Sequence, residues 1–141
     1  YSDGKCVTLG HYDPNYPSVI NINIELLSRS ELRLQAFHTL AHEGRHAFQH
    51  DVVRGLLNYD PEVTAYWKAN WQHYLSASRF GFEFYKSQPI ELDANSFAGK
   101  IVDGLIAHES NDVHLSSLTE TGSPYFDAGC ISVFNKIASQ I

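Results

Sequence analysis

Apolar residues recur at intervals of three and four through Leu34, Phe37, Ala41, Gly44 and Phe48, the period of a helix that turns one stripe toward a core. Just before them, Ser28-Arg29-Ser30-Glu31 has capping-box spacing, in which Ser28 accepts from a first-turn N–H and Glu31 reaches back. The pattern predicts a helix that meets no proline before Pro61. Gly44 in its interior costs about 1 kcal/mol relative to alanine, which predicts that another backbone or a cleft approaches closely there. Upstream, Val19-Ile20-Asn21-Ile22-Asn23-Ile24 alternates apolar and polar positions as a half-buried strand does. Lys5 to Leu9 reads as a second short strand, and Gly10 to Pro17 carries the turn signals Asp13-Pro14 and Tyr16-Pro17. A small antiparallel N-terminal sheet packed on helices places the chain in the α+β class.

Pro61 to Phe80 reads as a further helix, with Asp60 as N-cap, Pro61 in the first turn and Gly81 as its end. Tyr66, Trp67, Trp71 and Tyr74 make it aromatic, and that spacing fits a packed core better than a lid over a cleft. Pro89 suits the first position of another helix, in which Ile90, Ala94, Phe97, Ile101 and Leu105 form the buried stripe. Glu109 to Ser123 reads as a polar loop and Ala128 to Ile141 as a closing helix. No internal repeat is visible.

The chemistry lies in His42-Glu43-Gly44-Arg45-His46. On a helix, residues four apart project from one face, so both imidazoles can reach a single metal while Glu43 points at a water beside it. A third protein ligand is needed, and a catalytic centre keeps its fourth position open. Glu91, in the first turn of the helix that Pro89 begins, would complete a His-His-Glu set if the two helices pack together. Asn95, one turn further along the Glu91 face, is expected to accept a ligand imidazole N–H, as metal-bound histidine normally requires, with Asp93 as the second choice. An oxyanion stabiliser is also expected, with Tyr85, Arg45 and His50 as candidates. His38 and His50 extend the four-residue series and are expected to line the cleft or to pack beside it.

The pairing of H-E-x-x-H with Glu91-Leu92-Asp93-Ala94-Asn95-Ser96-Phe97-Ala98 resembles the minimal gluzincin metallopeptidases of the ImmA/IrrE type. The segment from Gln88 to Ala94 is also similar to Gln-Pro-x-Glu-x-Asp-Ala in phage- and toxin-associated relatives. The resemblance spans residues from about 19 to about 105 and rests on two short motifs, specific for the site and weak for the substrate. It implies zinc bound by His42, His46 and Glu91, with Glu43 as general base, in a zincin-like helical core. The interval between His46 and Glu91 is longer than a minimal version needs, so an extra helix is expected to fill it.

Composition narrows the field. The 141 residues suit one domain, and 43% hydrophobic content can bury a real core. The net charge is −6, with Lys and Arg scattered, so the footprint of a nucleic-acid partner is missing. No apolar run approaches the roughly 20 residues of a membrane span and no signal peptide is visible. A soluble protein is expected, cytoplasmic or secreted as part of a larger one. Cys6 and Cys130 lack metal-type spacing and read as two free thiols in preference to one terminus-to-terminus disulfide. A chain that opens on Tyr1 and holds no methionine is expected to be a domain excised from a longer polypeptide.

These features together predict a zinc-dependent metallopeptidase acting on a peptide or protein, whose backbone adds to the free edge of the strand beside the motif helix. Two alternatives share the site: a protease toxin or effector domain with one target protein, and an inactive zinc-binding interaction domain. The retained Glu43 argues against the last, which has no need of a base.

Overall fold

The computed structural model describes residues 8–116. The expected helix over 128–141, the pairing of Cys6 with Cys130 and most of the strand expected over Lys5 to Leu9 lie outside them. The chain divides into two units, Tyr1–Val102 and Asp103–Ile141, and every site residue discussed below belongs to the first.

Strand β1, Gly10–Tyr12, pairs antiparallel with β2, Ile20–Ile22, setting Gly10 opposite Ile22 and Tyr12 opposite Ile20. The first strand thus occupies residues expected to turn; the turn begins only at Asp13, whose side chain accepts from the Asn15 N–H at 2.9 Å. Asn23 stops β2 short of Ile24. Its N–H donates to the Leu9 carbonyl at 2.8 Å, and its Oδ1 accepts from the Glu25 N–H at 2.9 Å, capping α1, Ile24–Ser28. The expected capping box does not form, because Ser28 belongs to α1 and donates its hydroxyl to the Glu25 carbonyl at 3.1 Å. A 3-10 turn, Ser30–Leu32, leads into α2, Arg33–Val53, which has no side-chain cap.

Helix α2 does not bury the stripe its apolar residues predict. Leu34 is exposed and Phe37, Gly44 and Phe48 are half-buried, whereas Thr39, Ala41, His42, Glu43, Arg45, His46, Gln49 and Val52 are buried. Polar residues turn inward because the packed elements supply partners for them. Nor is Gly44 the point of close approach, since a Cβ built there meets nothing within 4 Å. That point is Gly10, where a Cβ would lie 2.5 Å from Thr39 Cγ2 and 3.2 Å from Glu43 Cγ. The missing side chain lets β1 lie directly on α2.

Helix α3, Pro61–Gln72, starts as expected, with Asp60 Oδ1 accepting from the N–H groups of Glu62 and Val63 at 2.9 and 3.0 Å. It ends at His73 and does not run on to Phe80. Two short helices follow, α4, Ala77–Phe80, and α5, Phe82–Lys86, separated by Gly81 at φ +91°. So three helices fill the interval where one was expected. Buried Gln88 fixes the break: its Oε1 accepts from the Leu75 N–H at 2.7 Å and from Asn70 Nδ2 at 3.0 Å. Its Nε2 donates to the carbonyls of Leu75 and Tyr85 at 2.9 and 3.0 Å. Trp67 joins Val52 and Ile90 at the centre of the core, with Phe48, Val63 and Trp71 around them, while Tyr66 faces solvent.

Helix α6, Pro89–Ser116, buries Ile90, Ala94, Ala98 and Ile101 within the first unit. It also takes in residues 109–116, expected to be loop. No proline follows Pro89 inside it, and a polar run can extend an established helix at little cost. A small antiparallel sheet therefore packs against a helical core in which α2 and α6 carry the expected ligands.

The two glycines on either side of Glu43 should respond oppositely to alanine. Gly10→Ala forces β1 away from Thr39 and should cost about 1–3 kcal/mol of unfolding free energy. Gly44→Ala meets open space in a helix and should gain up to about 1 kcal/mol. Urea denaturation of both variants checks the pair of signs.

Candidate metal centre

Helix α2 presents His42 and His46 one turn apart, and the first turn of α6 presents Glu91 to both. The two imidazole Nε2 atoms are 3.0 Å apart; Glu91 Oε2 lies 3.3 Å from His42 Nε2, and Oε1 lies 3.5 Å from His46 Nε2. For metal bonds of about 2.0–2.1 Å, tetrahedral ligands stand about 3.3 Å from one another. The three groups thus have the spacing of ligands that share one ion, and they form a buried cluster able to chelate it. Glu91 Oε2 is buried with no hydrogen-bond donor among the described residues, and an ion between the three groups would answer it. The donor set, two imidazole nitrogens and a carboxylate, suits zinc.

Burial by itself would raise the Glu91 pKa, but the His42 and His46 imidazoles beside it and the hydrogen bond from Tyr74 hold the carboxyl well below the usual range. Burial would lower His46, yet the Glu91 carboxylate that faces its Nε2 favours the imidazolium and raises it. Tyr74 donates its hydroxyl to Glu91 Oε1 at 2.9 Å, reaching it because Gln88 shapes the loop after α3. Burial and the Glu91 charge push the phenols of Tyr74 and Tyr85 far up, so both stay protonated donors. Tyr85 is half-buried and close enough to Glu91 to feel its charge, with its ring centroid 6.2 Å from that of Tyr74. Of the three oxyanion candidates, Tyr85 is the one at the carboxylate. Arg45 is committed to Asp93, and His50 Nδ1 to the Tyr12 hydroxyl at 2.8 Å.

Glu43 is buried beside the cluster, and the Tyr12 N–H donates to its Oε2 at 2.9 Å. Thus the N–H that β1 turns toward α2 fixes the orientation of the Glu43 carboxylate. Asn95 is exposed and bonds to neither imidazole, because its place on α6 turns it away from α2. Asp93 is the residue of that pair which faces α2, accepting from Arg45 Nε at 2.8 Å and from Gln49 Nε2 at 2.7 Å. Gln49 Oε1 is 2.9 Å from His46 Nδ1, so Asp93 reaches the ligand through an intermediary. His38 stacks on His42, with ring centroids 6.4 Å apart. Sequence reasoning missed Tyr12, Gln49 and Tyr74. Gln49 alone left a local signal, standing three residues after His46 on the same helix face.

No family model matches the chain, and no curated protein or solved structure matches it either. The His42-Glu43-x-x-His46 and Glu91 cluster is a zincin-like metal-binding arrangement on its own geometry. No helix among the described residues is long and apolar enough to cross a membrane.

Two outcomes follow for the chelator-treated protein. The lowered Glu91 pKa contributes stability that is present above its ordinary value of 4.5 and is lost as pH falls through its folded titration. The raised His46 pKa contributes stability that is complete below 6.5 and is lost as pH rises through its folded titration. Unfolding free energy against pH should therefore show a plateau between 4.5 and 6.5 with a decline on each side, and Glu91→Gln should flatten both limbs. Tyr74→Phe, which deprives a buried carboxylate of a donor, should lower stability by about 1–3 kcal/mol in the same measurement.

Proposed function

We propose that this protein is a zinc-dependent metallopeptidase. The observation that carries the reading is the convergence of His42, His46 and Glu91 at ligand spacing with a buried carboxylate, Glu43, between the two histidines in sequence. Three protein ligands leave one tetrahedral position for water or substrate. Bound there, zinc lowers the pKa of water and polarises a carbonyl.

The chain's own residues supply the remaining chemistry. The Tyr12 N–H occupies Glu43 Oε2, so proton transfer falls to Oε1. Glu43 takes one proton from the attacking water as the water oxygen bonds to the carbonyl carbon. It then delivers that proton to the amine nitrogen as the C–N bond breaks. Tyr85, kept protonated by burial and by Glu91, is the donor we assign to the charge that develops on the carbonyl oxygen. Glu91 on the early turn of α6, followed by Ala94, Asn95, Phe97 and Ala98, supports a minimal gluzincin of the ImmA/IrrE type. A peptide or protein substrate is part of this proposal.

Elemental analysis should find near one zinc per wild-type chain and a clear loss in Glu91→Ala. Glu43→Gln should keep the zinc and lower peptide hydrolysis by at least about 10²-fold. Retained hydrolysis in that variant, or a wild type that takes up no zinc on reconstitution, would sink the reading.

A further inference from the structure

Gln49 has no solvent-exposed surface, and both polar atoms of its side chain are engaged. Its Nε2 donates to the Ile90 carbonyl at 3.0 Å and to Asp93 Oδ2 at 2.7 Å. Both partners accept hydrogen bonds only, so a flipped amide would set oxygen against oxygen twice, and the network admits one orientation. Asp93 is itself fixed. Arg45 donates to its two carboxylate oxygens, from Nε at 2.8 Å and from Nη2 at 3.2 Å. The guanidinium lies over the rings of Phe48, Tyr59, Trp67 and Phe97, between 4.6 and 5.8 Å from their centroids.

A carbonyl oxygen can only accept, so His46 Nδ1 has to carry the hydrogen of the bond to Gln49 Oε1. The lone pair of the neutral ring then lies on Nε2, the atom that faces His42 Nε2 and Glu91 Oε1. His42 is prepared differently, since its buried Nδ1 meets no hydrogen-bond partner among the described residues. The choice of a carboxamide has its own logic. A carboxylate at this position would accept from the ring, but its second oxygen would face the Ile90 carbonyl and Asp93 Oδ2 with no hydrogen to offer, and its charge would repel that of Asp93.

We infer that Gln49 is the positioning residue of the metal centre. Oriented by Asp93 and Arg45, it locks His46 in the Nδ1–H tautomer and so presents Nε2 as a ligand before any ion arrives. The inference rests on the reading of His42, His46 and Glu91 as zinc ligands.

Two measurements on the full chain test it. In metal-free wild-type protein labelled with 15N at histidine, at a pH where the ring is neutral, the nitrogen shifts of His46 should be those of the Nδ1–H form. The Nε2–H form would overturn the inference without recourse to any variant. Zinc affinity by competition with a chromogenic chelator should fall about 10–100-fold in Gln49→Met. A cooperatively folded Gln49→Met variant with wild-type affinity would overturn this inference alone. Wild-type protein that binds no zinc would overturn the metallopeptidase reading as well.

Discussion

An ionised carboxylate out of reach of water has to be answered by donors or by positive charge, and Glu91, 1% exposed, is that group here. Its answer comes from three directions. His42 and His46 approach from α2, and Tyr74 approaches from the loop that Gln88 shapes after α3. The break in the helix expected over Pro61 to Phe80 bears on the last of these: an uninterrupted helix would lack the turn at residues 73–76 whose backbone Gln88 holds, and that turn brings the Tyr74 hydroxyl to α6.

The inward face of α2 serves two neighbours. Toward the sheet it offers Thr39 and Glu43, packed against a strand that lacks a side chain at Gly10. Toward α6 it offers His42, Arg45, His46 and Gln49, each engaged with Glu91, Asp93 or the Ile90 carbonyl. Glu43 and the His42, His46 and Glu91 cluster are thereby held by different parts of the fold. Strand β1 governs the orientation of Glu43, and α6 governs the geometry of the ion-binding cluster.

What could be read in the sequence was what one element encodes by itself. The spacing of His42 and His46, the Asp60 cap, and Pro89 with Glu91 in the following turn are local patterns, and the structure contains them as read. Errors arose where tertiary partners outweigh local preference. The apolar stripe through Leu34 and Phe48 looked like the buried side, yet the polar residues found partners and took it. The Ser28 capping box lost its serine to α1 because Asn23, placed by the sheet, nucleates a helix earlier. Spacing to Glu91 favoured Asn95 over Asp93, yet the direction of α2 relative to α6 puts Asp93 on the inward side and leaves Asn95 exposed. Tyr12 and Tyr74 lie far from the motif along the chain and signal nothing until it folds.

The aromatic enclosure of Arg45 bears on how the protein acquires an ion. A guanidinium held among four rings, gripping Asp93 and through it Gln49, is stabilised by contacts that owe nothing to a metal. Small domains that fold around zinc convert the free energy of coordination into folding, and chelators denature them. Here core packing and the Arg45–Asp93–Gln49 network surround the cluster, so the free energy of coordination would go into affinity instead. Loss and recapture of an ion would leave the chain folded, and which divalent ion occupied the centre would be set by donor preference and by supply.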